Sequence, residues 1–305
     1  MRIFVTGATG FLGFHFVKEA IRQGHQVLCL RRPSSVSLFS PDEECRVKWV
    51  LDDENLQNLV NVFKPEVLFH AAWAGVRGTY RENRDVQSQN ISLTKRVVCL
   101  YPYKQIICLG SQAEYGYYNG PVSENHEPSK LQSEYGATKL YCLNKLKMYC
   151  EAHDIEWQWI RIFTVFGEQM TGGLIKLAIH QCLNSIKKFD TTKGEQKYSY
   201  LYAEDYAKAI CLLLGSKGKS GIYNLSQPKD VYSNVYILSK IKSLMHSDIE
   251  YNFGSIPYTS NQIMYMDGDV SKFESAFGAV PHTNFETALI RTIDFYRKKV
   301  HIKSV

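Results

Sequence analysis

The sequence predicts an α/β fold: a doubly wound parallel sheet with a smaller C-terminal part interleaved into it. Three observations carry the prediction. Strand-like and helix-like signals alternate from the start of the chain. A glycine triplet joins the first strand to the first helix. After Gly167 the alternation loosens, then resumes over residues 204–225.

Residues 2–6 (RIFVT) form a short apolar strand, and Gly7, Gly10 and Gly13 follow it in G-x-x-G-x-x-G spacing. Glycine permits a tight turn and a close approach of backbone to a pyrophosphate. Residues 11–23 read as the helix behind the turn, whose N-terminal N–H groups and dipole would face the phosphates. Strand 26–31 follows, then a helix over about 53–63, with Leu56, Leu59, Val60 and Phe63 on one stripe and Asp52/Asp53 as its start signal. Strand 66–71, helix 84–100, strand 104–110, helix 133–153 and strand 156–163 complete the series. Residues 1–167 are expected to form the nucleotide-binding part, with 204–225 returning to its sheet, and 168–305 mainly the substrate-binding part.

Composition sets limits. The chain of 305 residues is 45% hydrophobic and 22% charged, which suits a globular protein with an ample core. The formal charge of +6 is scattered apart from short runs such as Lys187-Lys188 and Arg297-Lys298-Lys299, so no nucleic-acid partner is expected. No apolar run approaches the roughly 20 residues of a membrane span. Met1 enters the first strand almost directly, and a cytoplasmic location is expected. The eight cysteines stand singly, mostly in apolar contexts, and read as reduced, buried thiols; no metal is expected.

The chemistry is concentrated in three residues. Tyr135 and Lys139 stand as Y-x-x-x-K, neighbours on one helix face, and Ser111 lies twenty-four residues upstream of the tyrosine. A cation beside the phenol favours the phenolate, so Lys139 is expected to lower the Tyr135 pKa. A tyrosine tuned in this way can exchange a proton with an alcohol or sugar oxygen. Ser111 would hold the same oxygen.

These segments resemble the extended short-chain dehydrogenase/reductase family, the NAD-dependent epimerases and dehydratases. TGATGFLG (6–13), HAAW (70–73), LGSQAEYG (109–116) and EYGATK (134–139) match its motifs, with RIFTVFG (161–167) and YSYLYAEDYAKAI (198–210) less specific. The resemblance implies a Rossmann fold, a nicotinamide cofactor, hydride transfer, and Ser111, Tyr135 and Lys139 as catalytic residues. It places Gly7, Thr9, Gly10, Phe11, Leu12, Gly13, Ala71, Ala72, Lys139 and Thr164 against the cofactor. Thr164 stands where relatives often have asparagine. At the end of the second strand, where an acid would bind the ribose of NAD, the chain has Arg31 and Arg32, with Ser34 and Ser35 nearby. That arrangement suits the 2′-phosphate of NADP, and NAD is the weaker fit. Asp52 is either an adenine partner or a helix cap.

Three reactions compete. Dehydratases of the family follow the serine or threonine with Asp-Glu, whereas Gln112 and Ala113 cannot move a proton. A 3,5-epimerase-reductase needs a second acid/base, for which His180 is the remaining candidate; His70 reads as a packed strand-end residue. A 4-epimerase holds NAD permanently. The expected function is NADPH-dependent reduction of a nucleotide-linked 4-keto-6-deoxyhexose, as in enzymes of surface-polysaccharide sugars. WAGVRG (73–78) and SQAEYG resemble ketoreductases of the abequose-synthase type. A 4-epimerase and a dihydroflavonol-reductase-like ketone reductase are the alternatives within the enzyme class, and a non-catalytic NADP-binding protein is the alternative outside it. Substrate contacts are expected from Trp73, Arg77, Ser111, Gln112, Tyr135, Gly173, Leu174 and Tyr198. By the same resemblance, helices 84–100 and 133–153 would pair in a homodimer.

Overall fold

The structure, a computed structural model, describes residues 1–129, 131 and 133–303; residues 304–305 of the expected C-terminal part lie outside them. The first half alternates as β1 (Arg2–Thr6), α1 (Phe11–Arg22), β2 (Gln26–Arg31), the short α2 (Pro41–Glu44), β3 (Val47–Leu51), α3 (Leu56–Phe63), β4 (Val67–His70) and α4 (Arg84–Val98). It continues with β5 (Gln105–Ser111), β6 (Gly120–Val122), α5 (Glu134–Ala152) and β7 (Glu156–Ile162). Beyond these come β8 (Thr164–Phe166), α6 (Leu174–Leu183), β9 (Lys188–Thr191), β10 (Lys197–Tyr202) and α7 (Ala203–Cys211). The chain ends with β11 (Gly221–Leu225), β12 (Val231–Ser233), α8 (Asn234–Met245), β13 (Glu250–Phe253), β14 (Tyr265–Gly268), α9 (Ser271–Phe277) and α10 (Phe285–Lys303).

Seven parallel strands form the main sheet in the order β11-β7-β5-β4-β1-β2-β3. Such a sheet is buried on both faces, and its central strands β1, β4 and β5 are mostly apolar runs. Ile3, Val5, Val67, Phe69, Ile107, Leu109, Ile160 and Ile162 pack with α1 and α7 residues on one side. The alternate residues Phe4, Leu68, Ile106, Cys108, Trp157 and Trp159 pack with α3, α4 and α5 residues on the other. The strand order reverses between β1 and β4, and a crevice opens at such a switch point, outside the carboxyl ends of the strands.

Strand β11 edges the main sheet beside β7, and α7 packs on α1. Residues 168–303 hold more order than the sequence suggests. There β10, β12 and β14 form a second sheet of five strands with β6 and β8 from the preceding part of the chain, and α6, α8 and α10 bury a separate apolar cluster. Three details differ from expectation. Strand β3 was not anticipated, because its burial alternates irregularly at the sheet edge. Helix α3 begins at Leu56 behind Asn55, so Asp52 is not its cap. Leu59 is exposed, leaving Leu56 and Val60 as the buried stripe. Of the cysteines, Cys45 and Cys99 are exposed and five are buried. Among the described residues no helix is long and apolar enough to cross a membrane.

Candidate active site

The glycine turn is built by close approach. At Gly7, φ is +81°, and a Cβ would lie 2.6 Å from the amide nitrogen of Ala72. A Cβ on Gly13 would lie 2.1 Å from the Gly7 carbonyl oxygen. Only glycine lets β1, the turn and α1 meet this tightly. Gly10 caps α1 without a side-chain hydrogen bond, so first-turn N–H groups remain available to an anion. Beside the turn lies a cleft of about 430 Å³, lined by Gly7, Thr9, Gly10, Arg31, Arg32, Asp52, Ala71, Ala72 and Trp73. Its size and its glycine cradle fit a dinucleotide.

At the outer end of this cleft, the Arg31 guanidinium lies 5.1 Å over the Trp49 ring, and neither Arg31 nor Arg32 forms an ion pair among the described residues. Asp52 is held by Arg96 in a bidentate pair at 2.5 Å. With three guanidiniums around one paired carboxylate, the cleft is positive at this end.

Ser111 ends β5, and Tyr135 sits in the first turn of α5. Gly136 brings them together: a Cβ there would come 2.5 Å from the Ala113 carbonyl, so the helix start packs directly on the turn after β5. The Ser111 side chain hydrogen-bonds the Tyr135 phenol. Burial pushes this phenol above the usual tyrosine range. The Ser111 bond draws it back, the nearby Glu114 charge raises it, and the Arg81 guanidinium lowers it.

Lys139 departs from the expectation. Its ammonium donates to the Leu109 carbonyl at 2.6 Å and stands 3.6 Å over the Trp73 ring. It is not among the groups that shift Tyr135. Its own pKa is lowered to about 8 by burial, against the charge of Glu114. One face of Trp73 is therefore covered by Lys139, and its indole N–H donates to Gln87. The Arg81 guanidinium stands over the Tyr135 ring, 4.7 Å from its centroid.

Glu114, which sequence reasoning missed, organises the region. This fully buried carboxylate accepts from the Ser111 backbone N–H (2.7 Å), the Trp159 indole (3.0 Å) and Arg161 Nε (2.9 Å). Ser111-Gln-Ala-Glu114 is a capping box, and the S-x-x-E spacing is its sequence signal. The acid closest behind the serine is thus tied into the scaffold.

A second cleft, of about 260 Å³, is lined by Phe11, Leu12, Arg77, Thr164, Gly173 and Leu174. The Arg77 guanidinium passes over Gly172, where a Cβ would stand 1.7 Å from Nη1. The remaining expected residues are occupied otherwise. Gln112 accepts from Tyr118, and the Tyr198 hydroxyl donates to the Ile263 carbonyl and accepts from Gln262. His70 lies between the Thr6 and Thr94 hydroxyls, with its pKa lowered to about 3 by burial, and cannot serve as a base near neutrality. His180 packs edge-on against Tyr296. A larger groove, of about 860 Å³ along α1 and α7, shares none of the expected site residues.

The model of the NAD dependent epimerase/dehydratase family matches residues 3–226. The chain is similar to CDP-abequose synthase of Salmonella muenchen, with 24% identity over 283 residues, covering 88% of this chain and 89% of that protein. It is also similar to dTDP-6-deoxy-L-talose 4-dehydrogenase (NAD(+)) of Aggregatibacter actinomycetemcomitans, 26% identical over 245 residues, covering 75% and 85%. The UDP-glucose 4-epimerase of Thermotoga maritima, solved with UDP-glucose, superposes with a TM-score of 0.84 at 21% identity, covering 98% and 100%. The fold is common to all of that length.

Proposed function

We propose that this chain, which belongs to the NAD dependent epimerase/dehydratase family and is an NAD(P)-dependent enzyme of the extended short-chain dehydrogenase/reductase type, reduces a nucleotide-linked 4-keto-6-deoxyhexose with NADPH. The reading carries the nucleotide-sugar chemistry of the relatives to a site where one phenol, Tyr135, stands beside Ser111 to give a proton, with the Lys139 ammonium turned to the Leu109 carbonyl. That arrangement is its main support. The Tyr135 phenol bonds Ser111, while Gln112 and Ala113 are inert and Glu114 is tied to Arg161.

Gly7, Thr9, Gly10, Gly13, Ala71 and Ala72 would hold the dinucleotide, with Phe11, Leu12 and Thr164 toward the second cleft. When bound, the nicotinamide supplies a hydride to the substrate carbon. Tyr135 gives its proton to the carbonyl oxygen as that oxygen becomes an alcohol, and Ser111 orients the oxygen by hydrogen bond. Lys139 would hold the ribose side of the site and the charge around it. Arg31 and Arg32, unpaired at the positive end of the cleft, favour a 2′-phosphate over the bare ribose of NAD. Trp73, Arg77, Gly173 and Leu174 would meet the nucleotide sugar. In this reading residues 1–167 with 204–225 bind the cofactor and 168–305 mainly the substrate, in a cytoplasmic homodimer paired through α4 and α5.

A screen of NADPH oxidation against 4-keto-6-deoxy sugars on dTDP, CDP, GDP and UDP tests the proposal. With deuterium-labelled NADPH, the product should carry one deuterium at C4, and solvent deuterium should not enter C3 or C5. Label from solvent at C3 or C5 would require a second acid/base and overturn the reading. The same arrangement also serves a 4-epimerase, which would interconvert C4 epimers without added cofactor.

A further inference from the structure

We propose that Arg81 is a positioning residue for Tyr135, holding its ring from one face and adding a positive charge there. The inference rests on the reading of Tyr135 as the proton donor, and its geometry is independent of the substrate.

Arg81 lies in a short 3-10 turn, Gly78–Glu82, that sits on the start of α5. Two polar contacts fasten the turn to the start of α5, and the first residue of α4 adds a third. Arg81 Nη2 donates to Ser133 Oγ at 3.3 Å, and the Glu134 backbone N–H donates to Glu82 at 3.2 Å. Arg84 Nε donates to the Glu134 carboxylate at 2.9 Å. Ser133 Oγ is also the helix cap, accepting from the Gly136 N–H at 3.1 Å. One hydroxyl therefore fixes both the start of α5 and the guanidinium, which stands 4.7 Å from the Tyr135 ring centroid. A cation over an aromatic face is an attractive contact, stronger when water is excluded, and Tyr135 is only 7% exposed.

The other groups facing Tyr135 leave this position open. Ser111 reaches it from the end of β5 as a hydrogen-bond partner, Glu114 acts from the turn behind it as a negative charge, and Trp73 stands edge-on at 6.2 Å. Lys139, one turn along α5, is committed to the Leu109 carbonyl and the Trp73 face. When Tyr135 gives up its proton, the phenol O–H bond breaks, an O–H bond forms on the substrate oxygen, and the tyrosine is left as phenolate. A guanidinium over the ring stabilises that phenolate, and with it the transfer.

The test uses the full-length enzyme saturated with NADP⁺ or NADPH, with Arg81→Ala, Arg81→Lys and Tyr135→Phe as variants. Tyrosinate absorbance, read as the difference from Tyr135→Phe, reports ionisation of this phenol without any substrate. Arg81→Ala should raise its midpoint by about one pH unit, so that where half the parental Tyr135 is ionised about one-tenth is ionised in the variant. Arg81→Lys should stay near the parent. Turnover should fall several-fold in Arg81→Ala with the KM for NADPH unchanged, and added ethylguanidinium should restore part of it. An unmoved phenol midpoint in Arg81→Ala, or a lysine variant as impaired as alanine with no rescue, overturns the proposal. A shifted midpoint together with the absence of ketone reduction would instead retain Arg81 and reject the reductase reading.

Discussion

Removing the Glu114 carboxylate should expose how much of the site depends on one buried ion pair. Glu114 and Arg161 are 0% and 3% exposed at their side chains. In Glu114→Ala the guanidinium remains in the interior with no counter-charge, and the Ser111 N–H and Trp159 indole lose their acceptor. Breaking a buried pair from one side costs about 3–5 kcal/mol. Unfolding entropy is about 2.1 cal/mol/K per residue, so for a chain of this length the loss lowers Tm by about 5–8 °C. Replacing both partners, as in Glu114→Leu/Arg161→Met, leaves no unpaired charge and should recover at least half of that loss. Differential scanning fluorimetry and urea unfolding of the three proteins would measure both effects. A Tm for Glu114→Ala within 1 °C of the parent, or a double variant less stable than Glu114→Ala, would refute the reasoning. Activity should fall alongside, because the N–H that places Ser111 is the one left unpaired.

Tyr135→Phe should lower turnover at least about 100-fold while cofactor affinity is retained, since it removes the proton donor and keeps the ring; near-normal kcat would contradict the assignment. Arg31→Asp should weaken NADPH and relatively favour NADH, and calorimetric titration of both cofactors showing an unchanged affinity ratio would count against the arginine pair. His70, held neutral by burial with a pKa of about 3 in the native state against 6.5 unfolded, makes stability pH-dependent. Below pH 6.5 the unfolded chain takes up a proton that the native one does not, so stability present above pH 6.5 falls toward pH 3, by up to about 1.4 kcal/mol per pH unit. Urea unfolding at pH 7, 5.5 and 4 should show a shallower acid loss in His70→Asn, and equal slopes would exclude His70 as the source.

The main sheet was legible because its strands are apolar runs separated by helical stripes, a pattern that the burial of both faces imposes on the chain. Edge strand β3 lacks that pattern, being covered unevenly, and it escaped notice. The second sheet escaped as well: β6, β8, β12 and β14 are three or four residues long, too short to show a period, and are drawn together from positions as far apart as 120 and 268. Within the site, the two clefts are lined by residues of the glycine motif and of the segment 71–73, while Ser111, Tyr135 and Lys139 line neither. What could not be read was direction. The i, i+4 spacing places Tyr135 and Lys139 on one side of α5, but it does not say that the ammonium turns to the Leu109 carbonyl and the Trp73 ring. Asp52 and Arg96 are forty-four residues apart, and only the fold makes them a pair.

The position of Glu114 joins the architecture to the chemistry. A carboxylate three residues after the serine is close enough to reach a substrate if the turn opened toward the cleft, and it would then supply the second acid/base that elimination or epimerisation next to the ketone requires. The capping box turns it the other way: one oxygen accepts the Ser111 N–H, and the carboxylate is shared with Trp159 and Arg161 from β7. The local spacing that fixes the serine thereby removes the only acid of that turn from proton transfer. In the proposed reaction, what remains beside the reacting oxygen is one phenol, with a serine on its hydroxyl and an arginine on its ring. Such a site can move one proton to or from one oxygen, which carbonyl reduction and C4 epimerisation both require, and which is less than elimination or epimerisation next to the ketone requires.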